Sequence, residues 1–190
     1  MKSRTARTSF AVFETPIGFC AIAWSARGVV RFLLPEESAA ATEERIRAVC
    51  PEAQPAAPRA WVAELVARVK RHLGGASEDF ADVPLDTADV SPFHAAVYEA
   101  LRKVPSGATT TYGALGRRIG GSTGAARAVG TAMKKNPYAL LVPCHRVVGS
   151  DGKLHGFSAH GGLVTKAKLL AIEGLPSAEQ GSLFGEQKRS

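Results

Sequence analysis

Between residues 10 and 34, short apolar runs alternate with residues that favour turns. The runs are Phe10–Phe13, Phe19–Trp24 and Val29–Leu34, and each has the length and β-prone composition of a strand. Thr15–Gly18 and Ser25–Gly28 supply turn-forming residues between them. The pattern therefore predicts a small antiparallel sheet at the start of the chain.

Two segments with helical periodicity follow this sheet. Thr42–Val49 and Pro58–Leu73 carry apolar residues at helical spacing, and the Ala/Pro-rich segment Pro51–Pro58 is interpreted as a linker. Proline suits the first turn of a helix, so the second helix is expected to begin at Pro58. Its predicted buried stripe consists of Trp61, Leu65, Val69 and Leu73.

The second half predicts a series of short helices. Ser91 is a capping residue before a helix that continues to about Lys103. Tyr112–Ile119 and Ala125–Lys135 predict two further helices, joined by the turn Gly120–Gly124, in which a hydroxyl can cap the second helix. Two short helices across a glycine-containing turn are typical of a helix-turn-helix motif.

The two halves of the chain differ in charge. Residues 1–90 carry 11 basic and 12 acidic side chains, a net charge of −1, whereas residues 91–190 carry 13 basic and 5 acidic side chains, a net charge of +8. We therefore expect an α/β chain in two parts, with an N-terminal α/β domain over residues 1–90 and a mostly helical domain over residues 91–175. Residues 176–190 are expected to form a flexible tail.

One segment of the second half has no acidic residues. No Asp or Glu lies between Glu99 and Asp151. A surface without carboxylates is typical of a protein that binds a polyanion such as DNA. The basic residues of this segment are Arg102, Lys103, Arg117, Arg118, Arg127, Lys134, Lys135 and Arg146.

Composition narrows the class of protein. Hydrophobic residues make up 45% and charged residues 22% of the chain, as in globular proteins. No run approaches the about 18 apolar residues of a membrane-spanning helix, and no secretory signal is recognisable, so a cytoplasmic location is expected. The three cysteines, Cys20, Cys50 and Cys144, form no CxxC pair. We therefore expect no disulfide framework, no metal and no cofactor.

The helix predicted over Ala125–Lys135 has an unusual polar face. A helical wheel places Arg127, Gly130, Thr131 and Lys134 on one side, opposite the apolar residues. A glycine inside a helix costs about 1 kcal/mol relative to alanine. Bare backbone between two cations suits the close approach of a sugar-phosphate chain, although a packing contact between helices would also explain the glycine. The opposite, core-facing side consists of Ala125, Val129, Ala132 and Met133.

Cys144 is a candidate nucleophile. It follows the apolar, strand-like run Tyr138–Val142 and Pro143, and its next neighbours are His145 and Arg146. Positive neighbours are expected to lower the pKa of a thiol and favour the nucleophilic thiolate. Adjacent side chains point apart, so a direct Cys–His hydrogen bond is disfavoured, which counts against a hydrolase dyad.

Glu173 lies in an unfavourable position. Leu163–Glu173 predicts a helix that ends before Gly174, and a carboxylate in the last turn opposes the helix dipole. Such a violation of a local rule often marks a functional site, and an imidazole would be a natural partner. An exposed surface glutamate is the alternative.

Taken together, these motifs resemble the O6-alkylguanine-DNA alkyltransferase family, also called methylated-DNA–protein-cysteine methyltransferases. The resemblance is dense over Ser91–Gly174 and looser over Arg7–Leu34, where Glu14–Gly18 is similar to the family's opening. The motifs that carry it are Thr111–Gly113, Ala125–Gly130, Asn136-Pro137, Pro143–Val147 and Leu169–Gly174.

The resemblance implies a fold and a function. The fold would combine an RNase H-like N-terminal domain with a winged-helix-like alkyltransferase domain. The protein would be a monomer that binds double-stranded DNA, flips O6-alkylguanine, and also O4-alkylthymine, out of the duplex, and transfers the alkyl group to its own cysteine. Because a thioether is a poor leaving group, each molecule would act once. No membrane and no cofactor would be involved.

The resemblance also implies roles for individual residues. Cys144 would accept the alkyl group, His145 would act as base through a water, and Glu173 would orient His145. Asn136 would brace the turn before Cys144, and Tyr112 would donate a proton to the guanine oxygen. Arg127 would fill the gap left by the flipped base, on a DNA-binding helix surface with Ala126, Gly130, Thr131 and Lys134. The base pocket would be lined by Tyr112, Met133, Val147, Phe157 and Ser158.

Two segments depart from the family pattern. The turn Gly120–Gly124 is longer than expected, and so is the pocket loop Gly156–Gly162, where Phe157 replaces the common tyrosine and His160 has no counterpart. Three other functions stay open on the residues alone. These are a lesion-binding protein that transfers nothing, a helix-turn-helix regulator with a redox-sensing cysteine, and a Cys–His hydrolase.

Overall fold

A computed structural model of the chain describes residues 8–121 and 124–175. Its N-terminal part contains a four-stranded mixed sheet. Strands β1 (Ser9–Thr15), β2 (Gly18–Trp24) and β3 (Val29–Leu33) form the predicted antiparallel meander. The short strand β4 (Gln54–Pro55) pairs parallel with β1, so the order is β3-β2-β1-β4. The segment expected to be only a linker thus supplies an edge strand.

Two helices cover opposite faces of this sheet. Helix α1 (Ala39–Val49) begins three residues earlier than predicted, because Ser38 accepts a hydrogen bond from the Ala41 backbone N–H at 3.1 Å. Helix α2 (Ala60–Leu73) begins after the predicted Pro58, with Arg59 as N-cap. Alternate residues of a strand point to opposite faces. Ala21 and Ala23 therefore pack with α1, while Cys20, Ile22 and Trp24 pack with Val62, Leu65, Val69 and Leu73 of α2.

The second part is mostly helical, as expected. It contains α3 (Pro92–Arg102), α4 (Tyr112–Arg118), α5 (Ala125–Lys134) and α6 (Gly162–Ile172). A two-stranded parallel ladder joins β5 (Thr110–Thr111) to β6 (Val147–Val148). Predicted helix ends agree with these bounds to within one residue.

Helices α4 and α5 pack closely, as a helix-turn-helix requires. A Cβ atom on Gly116 would lie 2.9 Å from the Cβ of Ala125, so only glycine allows this approach. The N-cap of α5 is Gly124, which makes no side-chain capping bond. The predicted capping hydroxyls, Ser122 and Thr123, lie outside the described residues, as does the predicted tail over residues 176–190.

A single hydrophobic cluster spans both parts of the chain. Ile22 and Trp24 of the sheet belong to the same cluster as Tyr98 and Leu101 of α3. The backbone also connects the parts, since Phe32 N–H donates to the Pro137 carbonyl at 2.9 Å. Neither stretch of the described chain contains a helix long and apolar enough to cross a membrane.

The prediction of an extended segment before Cys144 is wrong. Tyr138 makes only an isolated parallel bridge with Phe32, residues 139–141 form a turn, and Leu140 takes a left-handed backbone conformation, with φ of 70°. Cys144 then begins a short 3₁₀ turn, Cys144–Arg146. A run of buried apolar residues does not distinguish a strand from a buried turn.

Candidate active site and DNA-binding surface

A cavity of about 430 Å³ opens beside Cys144. Helix α4 contributes Tyr112 to its wall, and the loop before α6 contributes Phe157. Most of the predicted pocket residues therefore meet here. The residues that line the cavity are Tyr112, Gly130, Met133, Lys134, Cys144, His155, Gly156, Phe157 and Ser158.

Val147 differs from the prediction for the pocket. It does not line the cavity, and its side chain is fully buried in the core. It instead pairs with Thr110 in the β5–β6 ladder and offers its carbonyl to Lys166 Nζ at 2.6 Å. Its part in the site is structural, because the strand carries Val147 away from the cavity that Cys144 faces.

Asn136 holds the backbone that presents Cys144. Its Nδ2 donates to the Val142 carbonyl at 2.9 Å, and its Oδ1 accepts from the Tyr138 backbone N–H at 3.0 Å. One amide side chain thereby fixes both ends of the turn containing Leu140. Cys144 follows directly and lies at the cavity with 8% of its surface exposed.

The thiol of Cys144 is not acidified as expected. Burial raises its pKa, and hydrogen bonding from Asn136 and the charge of Lys166 offset this only in part. Arg146, expected to help, points elsewhere, since its Nη2 lies 2.7 Å from Glu173 Oε1 and its Nη1 donates to the Val104 carbonyl at 2.5 Å. Attack by Cys144 therefore requires a base that removes its proton.

His145 is fully buried and contacts Glu173. Its Nε2 lies 2.8 Å from Glu173 Oε1. Burial lowers the pKa of His145, although Glu173 opposes the shift, so the imidazole is neutral at physiological pH. Its Nδ1 is buried and has no hydrogen-bond partner among the described residues. With Nε2–H donating to Glu173, Nδ1 is left as a proton acceptor.

Glu173 is the C-cap residue of α6, and its side chain has no exposed surface. Oε1 also lies 3.2 Å from His72 Nε2, and Arg146 binds both carboxylate oxygens. Burial alone would raise the pKa of Glu173, but hydrogen bonds from His145, His72 and Arg146 outweigh it and hold the pKa below its ordinary value. The carboxylate is therefore charged, and the exposed-glutamate alternative is wrong.

Two residues of this network were not predicted. His72 lies on α2, and no local pattern connects it with a carboxylate 101 residues away. Lys166 lies on α6 with no exposed surface, and its Nζ donates to the Val147 and His155 carbonyls. Burial lowers the pKa of Lys166 to about 8. Its position three and four residues before Leu169 and Leu170, on the apolar side of α6, was an available signal.

Helix α5 presents the expected polar face. Arg127, Thr131 and Lys134 are exposed, and Val129, Ala132 and Met133 are buried. Ala126 is half-buried at the start of the helix. A Cβ atom on Gly130 would meet nothing within 4 Å, so helix packing does not require this glycine. The bare backbone is open towards the cavity.

The segment without acidic residues supplies fewer surface charges than its sequence suggests. Arg102 is turned inward and donates to the carbonyls of Phe80, Ala81 and Val83, and Arg146 binds Glu173. The other six cations are exposed, and all of them lie in the second part of the chain, which also contains α5. They are Lys103, Arg117, Arg118, Arg127, Lys134 and Lys135.

Known proteins share this arrangement. A family model described as "6-O-methylguanine DNA methyltransferase, DNA binding domain" matches residues 92–175. A "DNA base-flipping protein" of Thermus thermophilus is 47% identical over 106 residues, which cover 56% of this chain and 69% of that protein. A "methylated-DNA--protein-cysteine methyltransferase" of Methanosarcina acetivorans is 34% identical over 173 residues, which cover 87% of this chain and 97% of that protein.

Solved structures are similar over nearly the whole chain. Mycobacterium tuberculosis OGT in complex with DNA superposes with a TM-score of 0.72 and 30% sequence identity, covering 93% of this chain and 99% of that chain. An O6-methylguanine-DNA methyltransferase from Pyrococcus kodakaraensis superposes with a TM-score of 0.66 and 29% identity, covering 88% of this chain and 99% of that chain. The mixed sheet and the helices thus form one known α/β architecture.

Proposed function

The chain belongs to the methylated-DNA–protein-cysteine methyltransferase family, and on that premise we propose that it repairs DNA by direct reversal. It binds double-stranded DNA, flips an O6-alkylguanine into the cavity and transfers the alkyl group to Cys144. The observation that carries this proposal is a cysteine at the wall of an apolar cavity, followed in the chain by a buried, neutral histidine that is bound to a buried carboxylate. A stacked base is out of reach of this thiol, so the base must leave the duplex.

The transfer forms a bond between Cys144 Sγ and the alkyl carbon and breaks the bond between that carbon and guanine O6. The thiol proton passes through a water to His145 Nδ1. Tyr112, whose hydroxyl lies 3.3 Å from the His155 carbonyl, donates a proton to guanine O6 and regains one from the His145 imidazolium. The net result is an unmodified guanine and a thioether, which is a poor leaving group, so each molecule reacts once.

Two charges support this step. Glu173 stabilises the imidazolium that forms at His145, because its carboxylate stays charged. Lys166 stabilises the thiolate, because its ammonium group is buried near Cys144. Both charges are in place before the lesion arrives, so they need no reorganisation during the reaction.

Helix α5 is the proposed DNA-reading element. Arg127 fills the space left by the flipped base, which offsets part of the cost of unstacking. The DNA backbone beside the flipped base is contacted by Ala126, Gly130, Thr131 and Lys134. We assign an RNase H-like fold to the domain of residues 1–90 and a winged-helix-like fold to the domain of residues 91–175. All these groups come from one chain, so a monomer suffices, and we assign the protein to the cytoplasm because its proposed substrate is DNA.

Binding without transfer is the nearest alternative. The Thermus thermophilus relative is named for base flipping alone. Cys144 at the cavity favours transfer for this chain, since a non-reactive binder has no need of a thiol with a base behind it. The buried His145–Glu173 pair likewise disfavours a redox-sensing regulator. A hydrolase is disfavoured because Cys144 and His145 are adjacent in the chain, and adjacent side chains do not easily form a direct hydrogen bond.

The test is repair of a duplex that contains one O6-methylguanine. Wild-type protein should remove the methyl group in a one-to-one ratio to protein. Cys144→Ser should remove none, while Cys20→Ser, which changes a buried thiol that does not line the cavity and contacts Thr15, should repair like wild type. Repair by Cys144→Ser, or several lesions repaired per protein molecule, would contradict the proposal.

A further inference from the structure

A second cleft lies beside the base cavity, at the junction of the N-terminal part with the end of α5. It holds about 210 Å³ and is lined from β3, α1, α5 and the loop before α6. Four cations converge on it: Arg31 from β3, Arg45 from α1, and Lys134 and Lys135 from the end of α5. Two of the four therefore come from the half of the chain that carries a net charge of −1.

The positive charge of this cleft is not neutralised within the molecule. None of the four cations forms an ion pair among the residues that the structure describes. Arg31 contacts the Cys50 thiol, and its Nε is buried without a hydrogen-bond partner in the described chain. The cleft has one lining carboxylate, Glu36, which lies 3.5 Å from His160 Nδ1. An anion entering the cleft would therefore meet an excess of cations.

The cleft is continuous with the base cavity. Lys134 and Ser158 line both. A nucleotide whose base enters the cavity keeps its sugar and phosphates at the mouth, where these two residues lie. A strand that left the flipped nucleotide on this side would meet Lys134 first, and Arg45 and Lys135 line the cleft beyond it. The backbone of DNA carries one negative charge per nucleotide, which matches a row of unpaired cations.

We propose that this cleft binds phosphates of the lesion-carrying DNA strand, and that Arg31 and Arg45 extend the DNA-binding surface onto the N-terminal part. This assignment rests on the proposed function, because the flipped nucleotide sets the path of the strand. It gives the N-terminal part a direct share in DNA binding, although that part lies outside the matched DNA-binding domain of residues 92–175.

The salt dependence of DNA binding tests the proposal. Each phosphate contact contributes about −0.9 to the slope of log K against log salt concentration. For a short duplex containing one O6-methylguanine, with Cys144→Ser in every protein so that no methyl group is transferred, Arg45→Gln and Lys135→Gln should each make the slope shallower by about 0.9, and the double variant by about twice that amount. The matched control is Arg47→Gln, on the same helix as Arg45 but outside the cleft and bound to Glu43 at 2.7 Å. Its slope should equal that of wild type.

Two results would overturn the proposal. One is a wild-type slope for both Arg45→Gln and Lys135→Gln in variants with an unchanged thermal midpoint. The other is an equal loss of slope in Arg47→Gln, which would indicate a general effect of net charge. Methyl transfer by the wild-type protein is measured separately. If the wild-type protein transferred no methyl group, but the salt slope became shallower only in the cleft variants, the cleft proposal would stand and the proposed reaction would be wrong.

Discussion

Glu173 connects the chemistry of the site at the scale of single residues. Its position against the helix dipole predicted an imidazole partner, and the structure gives it two imidazoles, His145 and His72, together with Arg146. A broken local rule can be seen in sequence because the rule itself is local. Lys166 gives a weaker signal, because a lysine in a helix is ordinary and only its position on the apolar side of α6 distinguishes it. Its burial comes from the Val147 and His155 carbonyls, which tertiary folding brings to it.

Lys166 should make stability depend on pH in a defined window. Burial lowers its pKa from the ordinary 10.5 to about 8 in the folded protein. The unfolded chain therefore binds the proton more tightly, and the cost of burying the charge is fully present below pH 8 and relieved as the pH rises towards 10.5. Relative to Lys166→Met, which has no such charge, wild type should gain on the order of 3 kcal/mol across this window.

Urea unfolding of both proteins at several pH values measures this difference. Taking the difference between the two proteins cancels the tyrosines that titrate in the same range, and Cys144→Ser in both proteins removes the thiol whose pKa depends on Lys166. A difference in the free energy of unfolding that stayed constant from pH 8 to 10.5 would mean that the folded and unfolded lysines titrate alike.

At the scale of elements, periodicity predicted most helices and strands but not the segment before Cys144. Most of the buried faces of α2 and α5 follow from spacing, because a helix has one period whatever it packs against. Trp61 of the predicted α2 stripe and Ala125 of the predicted α5 core face are only half-buried. The segment 138–143 is apolar without a period, and its turns depend on Asn136 and on the left-handed Leu140. The edge strand β4 was missed because a single proline-containing pair offers no pattern.

Gly130 should separate the stability of α5 from its function. Because a Cβ there meets nothing within 4 Å, Gly130→Ala should stabilise the free protein by about 0.5–1 kcal/mol, the gain in helix propensity. The same methyl group would project at the cavity wall, so binding to lesion-containing DNA should weaken. Urea unfolding and DNA titration of the same variant measure both effects.

Gly116→Ala is the matched control for this substitution. There the added Cβ would lie 2.9 Å from that of Ala125, so the α4–α5 contact must open and the protein should be less stable. A Gly130→Ala variant that was also destabilised, or that bound DNA as tightly as wild type, would contradict the reading of this glycine as a site of close approach.

At the scale of the whole molecule, the active site depends on both parts of the chain. A boundary after Val90 places His72 and Glu173 in different parts, yet Nε2 of one lies 3.2 Å from Oε1 of the other. Charge and composition change near that boundary. These changes describe the surfaces of the two parts and do not show that the two parts share one hydrophobic core. The shared core, with Trp24 and Leu101 in one cluster, could not be predicted from patterns within either half.

His72 should therefore affect alkyl transfer from a distance in sequence. His72→Leu removes a donor to Glu173 and frees the carboxylate that orients His145, so the single-turnover transfer rate should fall by about tenfold, the value of one hydrogen bond to a charged group. DNA affinity should change little, because His72 is buried away from α5. Single-turnover transfer assays measure the rate, and DNA titrations measure the affinity.

His72→Gln is the control that separates orientation from packing. Its amide N–H can replace the Nε2–H donor, so it should recover most of the rate and the wild-type pH profile. Equal rates for His72→Leu and wild type would show that Glu173 is positioned without the N-terminal part. Equal losses in the Leu and Gln variants would assign His72 a packing role alone.

The most direct test of the account is the mass of the intact protein after it meets a duplex containing one O6-methylguanine, followed by peptide mapping. The account predicts a gain of one CH2 group on Cys144, in step with the loss of methyl groups from the DNA. An unchanged mass with tight binding to the lesion would contradict alkyl transfer. A methyl group on any other residue would contradict the assignment of Cys144 as the acceptor.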